Sequence, residues 1–425
     1  MQFTFLHTAD IHLDSPLKGL ERYDGAPVEE VRTAARRALE NLVDHAVGTG
    51  VAFVLIAGDV YDGDWRDYNT GLFFASQMSR LREAQIRVYL ISGNHDAESH
   101  VSRSLRLPDN VQRFSTDAPQ TVMLDDLRVA IHGQGFANAR VDKDLTQDYP
   151  DAVPKHFNIG LLHTSLDGRP GHAAYAPCSL AGLLGKGYDY WALGHVHQRE
   201  IVHENPWVVF PGIVQGRHIR ELGPKSCTVV TVDDSRVVHA EPVSVDVMRW
   251  SELTVDVAQC RNADDAIDAV MGVLTQTCGD DELGGRTLAV RLRLIGASSV
   301  HAEFIADPVR WANEFRRCAT DIGPGRAWIE RVCFDTHSPV DLDELATRED
   351  AVSELLREIE SLINNDEALT AFAKAELEPM ISRVNRDLGS TQETQPYCQA
   401  EELRTLLHEA RDLLITRLLS GGRNT

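Results

Sequence analysis

The stretch Phe3-Thr4-Phe5-Leu6-His7-Thr8-Ala9-Asp10-Ile11-His12 runs from an apolar segment, Phe3 to Leu6, straight into Asp10-x-His12. The same grammar returns four times along the chain. Val51 to Ala57 precedes Gly58-Asp59, and Val88 to Ser92 precedes Gly93-Asn94-His95-Asp96. Ile159 to Leu162 precedes His163, and Tyr190 to Leu193 precedes Gly194-His195-Val196-His197. Short apolar runs bounded by glycine read as buried strands. In α/β sheets, ligands gather beyond the carboxyl ends of strands, so clusters far apart in sequence can converge on one site. Each motif alone is short enough to arise by chance. Five in order, each following a strand, are not.

Imidazole nitrogen, carboxylate oxygen and amide oxygen form a mixed donor set. It suits manganese, iron or zinc better than calcium or a thiolate-bound ion. Asp10, His12, Asp59, Asn94, His163, His195 and His197 are the metal-ligand candidates. A carboxylate has two oxygens, which makes Asp59 the candidate bridge between two ions that clamp the oxygens of an in-line displacement. His95 is the candidate proton donor to the leaving oxygen, with Asp96 accepting its second N–H. Glycines at 58, 93 and 194 let the backbone turn tightly or approach closely. His7, His132 and His218 fall outside the ligand positions and read as core or surface histidines. Neither a G-x-S-x-G elbow nor a Walker loop is present, so serine-nucleophile hydrolysis and ATP binding by this chain have no support in the sequence.

Around this constellation the chain organises into three parts. Residues 1–245 alternate apolar runs with amphipathic helices such as Val31 to Val47 and Asn69 to Glu83. They then turn strand-rich, with runs at Thr121 to Met123, Val129 to His132, Trp207 to Phe210, Thr228 to Val232 and Val237 to Ala240. Such a pattern predicts packed sheets under flanking helices. Residues 246–338 read as a small βαβαβ unit. Its strands are Leu253 to Val257, Leu288 to Leu294 and Trp328 to Phe334, and its helices are Asp264 to Thr277 and Pro308 to Thr320. Leu288, Val290, Leu292 and Leu294 alternate with Arg291 and Arg293, marking one buried and one solvated face. Residues 339–425 form a helical tail broken at Pro379 and between Gly389 and Pro396. Val352, Leu355, Leu356, Ile359, Leu362 and Ile363 share one helix face there, and Leu403, Leu406, Leu407, Ala410 and Leu414 another. Packing of these helices on each other is the expectation, with a partner's helix as the alternative.

A chain of 425 residues calls for two or three domains. No apolar stretch is long enough to span a bilayer. The start of the chain lacks a signal-peptide pattern, which predicts a cytoplasmic protein with no membrane association. Seven scattered cysteines without a C-x-x-C pair point to reduced structural thiols. A net charge of −22 repels polyanions at long range, so contact with nucleic acid has to be local.

The ordered set Asp10-x-His12, Gly58-Asp59, Gly93-Asn94-His95-Asp96, His163 and Gly194-His195-x-His197 resembles the calcineurin-like metallophosphoesterases. Ala9-Asp10-Ile11-His12-Leu13-Asp14-Ser15-Pro16, Gly58-Asp59-Val60-Tyr61-Asp62-Gly63-Asp64-Trp65 and the stretch from Pro211 to Glu221 are similar to the bacterial YhaO-type proteins, relatives of SbcD DNA-repair exonucleases. The resemblance covers about the first 245 residues, and the βαβαβ unit is similar in layout to the SbcD-type capping domain. It implies a four-layer αββα sandwich and metal-dependent phosphodiester hydrolysis on DNA. It also implies two divalent ions, usually manganese, the first on Asp10, His12, Asp59 and His197 and the second on Asp59, Asn94, His163 and His195. His95 keeps the proton-donor role. Implied partners are DNA and a coiled-coil ABC-type ATPase of SbcC or YhaN type, and a second copy of the chain is a further candidate on which the sequence does not decide. Arg66, Arg217 and Arg220 are the candidate phosphate contacts. One position departs from the pattern. Some repair nucleases carry histidine three residues after the bridging aspartate, where this chain has Asp62, which leaves exonuclease polarity open.

Two other functions stay in play. The same chemistry serves phosphatases and cyclic-nucleotide phosphodiesterases, because fold does not fix substrate. A binding subunit whose nuclease activity is latent until an ATPase remodels it would carry the same motifs.

Overall fold

A computed structural model describes residues 2–15, 27–62, 68–98, 105–167, 175–234, 236–339, 342–376 and 400–421. The chain divides into two compact units. One comprises Met1–Glu252, Thr277–Arg291 and Gly323–Glu330, and the other Leu253–Gln276, Leu292–Ile322 and Arg331–Thr425.

In the first unit, strand β1 (Phe3–Thr8), helix α1 (Val28–Thr49), β2 (Phe53–Ala57), α2 (Tyr68–Glu83) and β3 (Arg87–Ile91) alternate as expected. Helix α1 starts after Pro27 with Glu29 and Glu30 in its first turn, where the positive end of the helix dipole favours acids. It stops at Gly50, whose φ of 63° is left-handed and whose N–H reaches back to Ala46 and Val47. The short helix α3 (Asn94–Glu98) and strands β4 (Val111–Arg113), β5 (Gln120–Leu124), β6 (Val129–Gly133) and β7 (Phe157–His163) follow. Then come helix α4 (Leu180–Leu184), β8 (Tyr190–Gly194), β9 (Glu200–Glu204), β10 (Trp207–Phe210), β11 (Ser226–Asp233) and β12 (Arg236–Ser244).

These strands build two six-stranded sheets, ordered β12-β11-β1-β2-β3-β4 and β5-β6-β7-β8-β10-β9. The period-2 geometry of a strand sends alternate side chains to opposite faces. On β2, Phe53, Leu55 and Ala57 point into the core shared by both sheets, while Val54 and Ile56 pack with Leu39, Leu42 and Phe74 of the helices. On β8, Tyr190 and Ala192 join that shared core, while Trp191 and Leu193 face an outer layer of Leu145, Tyr149, Leu183 and Tyr188. Both sheets are therefore buried on both faces, giving a four-layer mixed α/β sandwich. The layer over the second sheet is thin, carried by α4 and the 3-10 turn Leu145–Asp148.

The later elements are β13 (Met248–Asp256), α5 (Ala263–Cys278), β14 (Thr287–Ala297), α6 (His301–Ala306), α7 (Pro308–Ile322) and β15 (Ala327–His337), with strand order β13-β14-β15. Strand β13 begins five residues before the expected Leu253, because Met248 and Trp250 are buried with Ala289 and Trp328. Arg291 and Arg293 lie on the polar face of β14, already matched to carboxylates. Arg291 holds Glu330 through two nitrogens and Arg293 holds Asp335 at 2.6 Å, so neither is a spare cation for phosphate.

In the second unit, helices α8 (Leu342–Ala346), α9 (Ala351–Ile363) and α10 (Ala400–Gly421) form the tail. An Asp350–Ser353 capping box starts α9, and Leu345, Leu356 and Ile415 share a small core. The expected face of α10 is corrected in part. Leu403 is buried, but Leu406 and Leu414 are more than a third exposed and Ile415 takes the inner position. The expected breaks at Pro379 and between Gly389 and Pro396 lie outside the described residues. Among the described residues, no helix is long and apolar enough to cross a membrane.

Candidate metal centre

Strands β1, β2 and β3 run parallel in the first sheet and β7 and β8 run parallel in the second, so all five carboxyl ends open to one edge of the sandwich. The chain must turn sharply there. Asp10, His12, Asp59 and His195 all adopt positive φ, at 51°, 45°, 54° and 99°. For residues other than glycine such a conformation costs roughly 1–3 kcal/mol each and persists only where surrounding bonds over-determine it. Asp10 N–H donates to Gly58 O, His12 N–H to Asp59 O and Leu13 N–H to Val60 O, each within 3.0 Å, lacing the turns after β1 and β2 together. Closeness also explains two glycines. A Cβ on Gly93 would stand 2.2 Å from Asp59 Oδ1, and one on Gly194 would stand 2.0 Å from Ala57 O.

The turns gather the ligand candidates into two adjoining groups, Asp10 with His12 and His197, and Asp59 with His163 and His195. In the first, His12 Nε2 faces His197 Nε2 at 3.2 Å, and His197 Nε2 lies 4.0 Å from Asp10 Oδ1. In the second, His163 Nε2 lies 3.3 Å from Asp59 Oδ2 and 3.0 Å from Asn94 Oδ1, and the His163 and His195 ring centroids are 5.3 Å apart. His195 N–H donates to Asp10 Oδ2 at 3.0 Å and stitches the two groups together, while His95 N–H from the neighbouring turn donates to Asp59 Oδ1 at 2.9 Å.

The donor set asks for positive charge. His163 Nδ1 lies 2.8 Å from Ala57 O, a pure acceptor, so Nδ1 carries the proton and Nε2 of a neutral ring presents a bare lone pair. That lone pair confronts the oxygens of Asp59 and Asn94, an arrangement of acceptors stabilised only by a cation between them. Without a metal a proton fills the role. Burial pulls the His163 pKa down, but the Asp59 carboxylate beside it outweighs burial and carries it to about 9. Conversely, burial and Arg217 hold His12 neutral with a pKa of about 3, the form a ligand needs. Burial pushes Asp10 up to about 6. Asp59 is held low despite burial, by His163 first and by His12 and His95 after it, so its charge is felt from both groups. Neutral imidazoles, buried carboxylates and an amide oxygen fit divalent ions of borderline hardness.

Beside the two groups stands a third cluster that sequence reading assigned differently. His95 Nδ1 lies 2.9 Å from Asp62 Oδ1, and the expected partner Asp96 is not in contact with it. Asp96 instead accepts backbone N–H groups of Val60, Tyr61 and Gly93, bracing the turns after β2 and β3. Its place three residues after Gly93 suits capping of its own turn, which is why it cannot also reach the imidazole. Asp62 also accepts from Ser15 Oγ at 2.5 Å and lies 3.5 Å from His12 Nδ1 and 3.8 Å from Arg217 Nη1. Burial would raise its pKa, but hydrogen bonds from His12 and His95 hold it well below the ordinary carboxylate range. For His95, burial is outweighed by the hydrogen bond to Asp62, so its pKa is raised. With 38% of its side chain exposed, His95 is the most accessible member of the cluster.

Of the three arginines, Arg217 is at the centre, braced between Glu221 and Asp62, and Arg220 is exposed. Arg66 lies outside the described residues. His7 and His132 are buried in hydrogen-bonded core positions, His7 between Tyr190 and Leu193 O and His132 between Thr121 and Asn158, and His218 is surface-exposed. Sequence reading missed Glu221, which accepts from His197 Nδ1 at 2.7 Å. Nothing in G-R-H-I-R-E marks it as different from a surface acid.

The calcineurin-like phosphoesterase family matches residues 3–199, and the metallophosphoesterase YhaO middle domain matches residues 250–337. The uncharacterized metallophosphoesterase YhaO of Bacillus subtilis (strain 168) is 33% identical over 299 residues, covering 69% of this chain and 72% of its own. The DNA double-strand break repair protein Mre11 of Methanopyrus kandleri is 26% identical over 260 residues, 55% of this chain and 51% of that one. Among solved structures, a dimetal phosphatase from Danio rerio is similar at 12% identity with a TM-score of 0.35, over 57% of this chain and 99% of that one.

Proposed function

The chain belongs to the YhaO family of calcineurin-like metallophosphoesterases, and from that premise we propose that it hydrolyses phosphodiester bonds in DNA with two divalent ions, preferably manganese. The observation that carries the two-ion part is the pair of adjoining donor groups, with Asp59 a member of one and its backbone carbonyl accepting the His12 N–H of the other. DNA as substrate draws on the likeness to Mre11, a DNA double-strand break repair protein. Asp10, His12 and His197 would hold one ion and Asn94, His163 and His195 the other, with Asp59 between them. Bound there, the ions supply Lewis-acid stabilisation of phosphoryl charge and activate water as nucleophile.

The chain's own residues do the rest. Arg217 offers a fixed guanidinium to a phosphate oxygen at the rim. His95, its Nδ1–H held by Asp62, presents Nε2–H to the leaving oxygen and gives up that proton as the ester bond breaks. Asp62 then stabilises the position of the neutral ring for reprotonation. A coiled-coil ATPase that binds the tail, and a role in DNA repair inside the cell, complete the reading.

A second reading, hydrolysis of small phosphate esters, draws on the same metal chemistry, since the fold does not fix the substrate. Manganese-dependent assays on linear and circular plasmid and on p-nitrophenyl esters separate the two. Shortening of linear DNA supports the nuclease, and turnover of esters alone overturns it.

A further inference from the structure

The loop that follows β10 returns to the metal centre and delivers Glu221, whose side chain is 7% exposed. Glu221 Oε1 lies 2.7 Å from His197 Nδ1, and Oε2 accepts the Arg217 backbone N–H at 2.7 Å. Arg217 Nη2 sits 3.2 Å from the same Oε1 and 3.3 Å from the same Nδ1. Both contacts of Nδ1 cannot be hydrogen bonds at once, because this nitrogen either donates to Glu221 or accepts from Arg217. The choice decides what His197 can do. Donation to Glu221 keeps the proton on Nδ1 and leaves the Nε2 lone pair turned toward His12 Nε2 and Asp10. Donation from Arg217 would move the ring proton to Nε2 and close the ligand position.

The geometry points to Glu221 as a positioning residue that fixes the His197 tautomer against the competing Arg217 donor, and so sets metal affinity at the Asp10–His12–His197 group alone. The inference rests on the two-ion reading. His163 needs no such device, since a backbone carbonyl, Ala57 O, fixes its tautomer and no arginine among the described residues contests it. Arg217 in this account has two faces, a phosphate contact in the working centre and a hazard to one ligand when Glu221 is gone.

The test is calorimetric titration of the full chain with manganese, for wild type, E221Q, E221A and the double variant E221A/R217A, with ¹⁵N NMR of the histidine rings read alongside. Loss of an outer hydrogen-bond partner of a ligating histidine weakens metal binding about 10- to 100-fold. E221A is therefore expected to weaken one of two ions by that factor and leave the other at its wild-type Kd. The His197 ring should shift toward the Nε2–H tautomer. E221Q, whose amide oxygen still accepts from Nδ1–H, stays nearer wild type and serves as the readout if E221A does not fold. Removing Arg217 as well restores most of the lost affinity, which a merely structural role for Glu221 does not predict. Two wild-type affinities in E221A, or a double variant as weak as E221A, overturns the inference. A wild-type chain that binds fewer than two ions fails differently, taking the two-ion reading down first.

Discussion

In the proposed reading His95 gives up the proton and Asp62 holds its ring in place, so their variants should separate chemistry from metal binding. His95→Ala is expected to lower kcat by about 10²- to 10⁴-fold, the usual worth of a general acid, while metal content measured by atomic emission stays unchanged. Asp62→Asn keeps an acceptor near His95 Nδ1 but loses its charge, so the expected loss is roughly tenfold, with the alkaline limb of the pH–rate profile moved to lower pH. Loss of metal in the His95 variant would contradict the assignment. The pair was only half legible in the sequence. His95 followed from its place beside Asn94, whereas its partner was sought among neighbours and found 33 positions away on another turn.

A second residue-scale consequence concerns the metal-free chain. The folded pKa of His163 is carried to about 9 from an ordinary 6.5, so its proton contributes stability in full below pH 6.5. That contribution is lost as pH rises through 9. His95, also raised, acts in the same direction. In chelator, the melting temperature is expected to fall between pH 6.5 and 9, and saturating divalent metal should remove most of that slope. A flat profile in chelator would show that His163 does not face uncompensated acceptors.

At the scale of elements, the site is the meeting of five parallel strand ends, and tolerance of change there is set by backbone contacts. Gly194→Ala would push a methyl carbon to 2.0 Å from Ala57 O at the junction of β2 and β8. Since that neighbour is backbone and not a yielding side chain, a destabilisation of about 1–3 kcal/mol is expected in a denaturant titration. Wild-type stability in that variant would mean the strand ends are not packed as described. Strand ends were readable because β2, β3, β7 and β8 are buried on both faces and leave uninterrupted apolar runs. The start of strand β13 was expected too late because its first half alternates Met248 and Trp250 with polar residues and carries no such run. Helix α10 was misjudged for a related reason. A regular leucine spacing fixes which residues share a face, not which face the neighbouring helix covers.

For the molecule as a whole, a net charge of −22 repels a polyanion at long range, so on the proposed reading contact with DNA has to depend on cations held by the buried acids and imidazoles. Chelation is thus expected to remove both turnover and DNA contact, whereas added salt weakens contact only. The family matches cover residues 3–199 and 250–337, and the ligand candidates from Asp10 to His197 all fall within the first.

The account depends most on Asp59 standing between two cations. The most direct measurement is an anomalous difference map from crystals of the manganese-loaded chain. Two peaks roughly 3.5–4 Å apart, one on each side of the Asp59 carboxylate, are predicted. A single peak, or two that do not share Asp59, would contradict it.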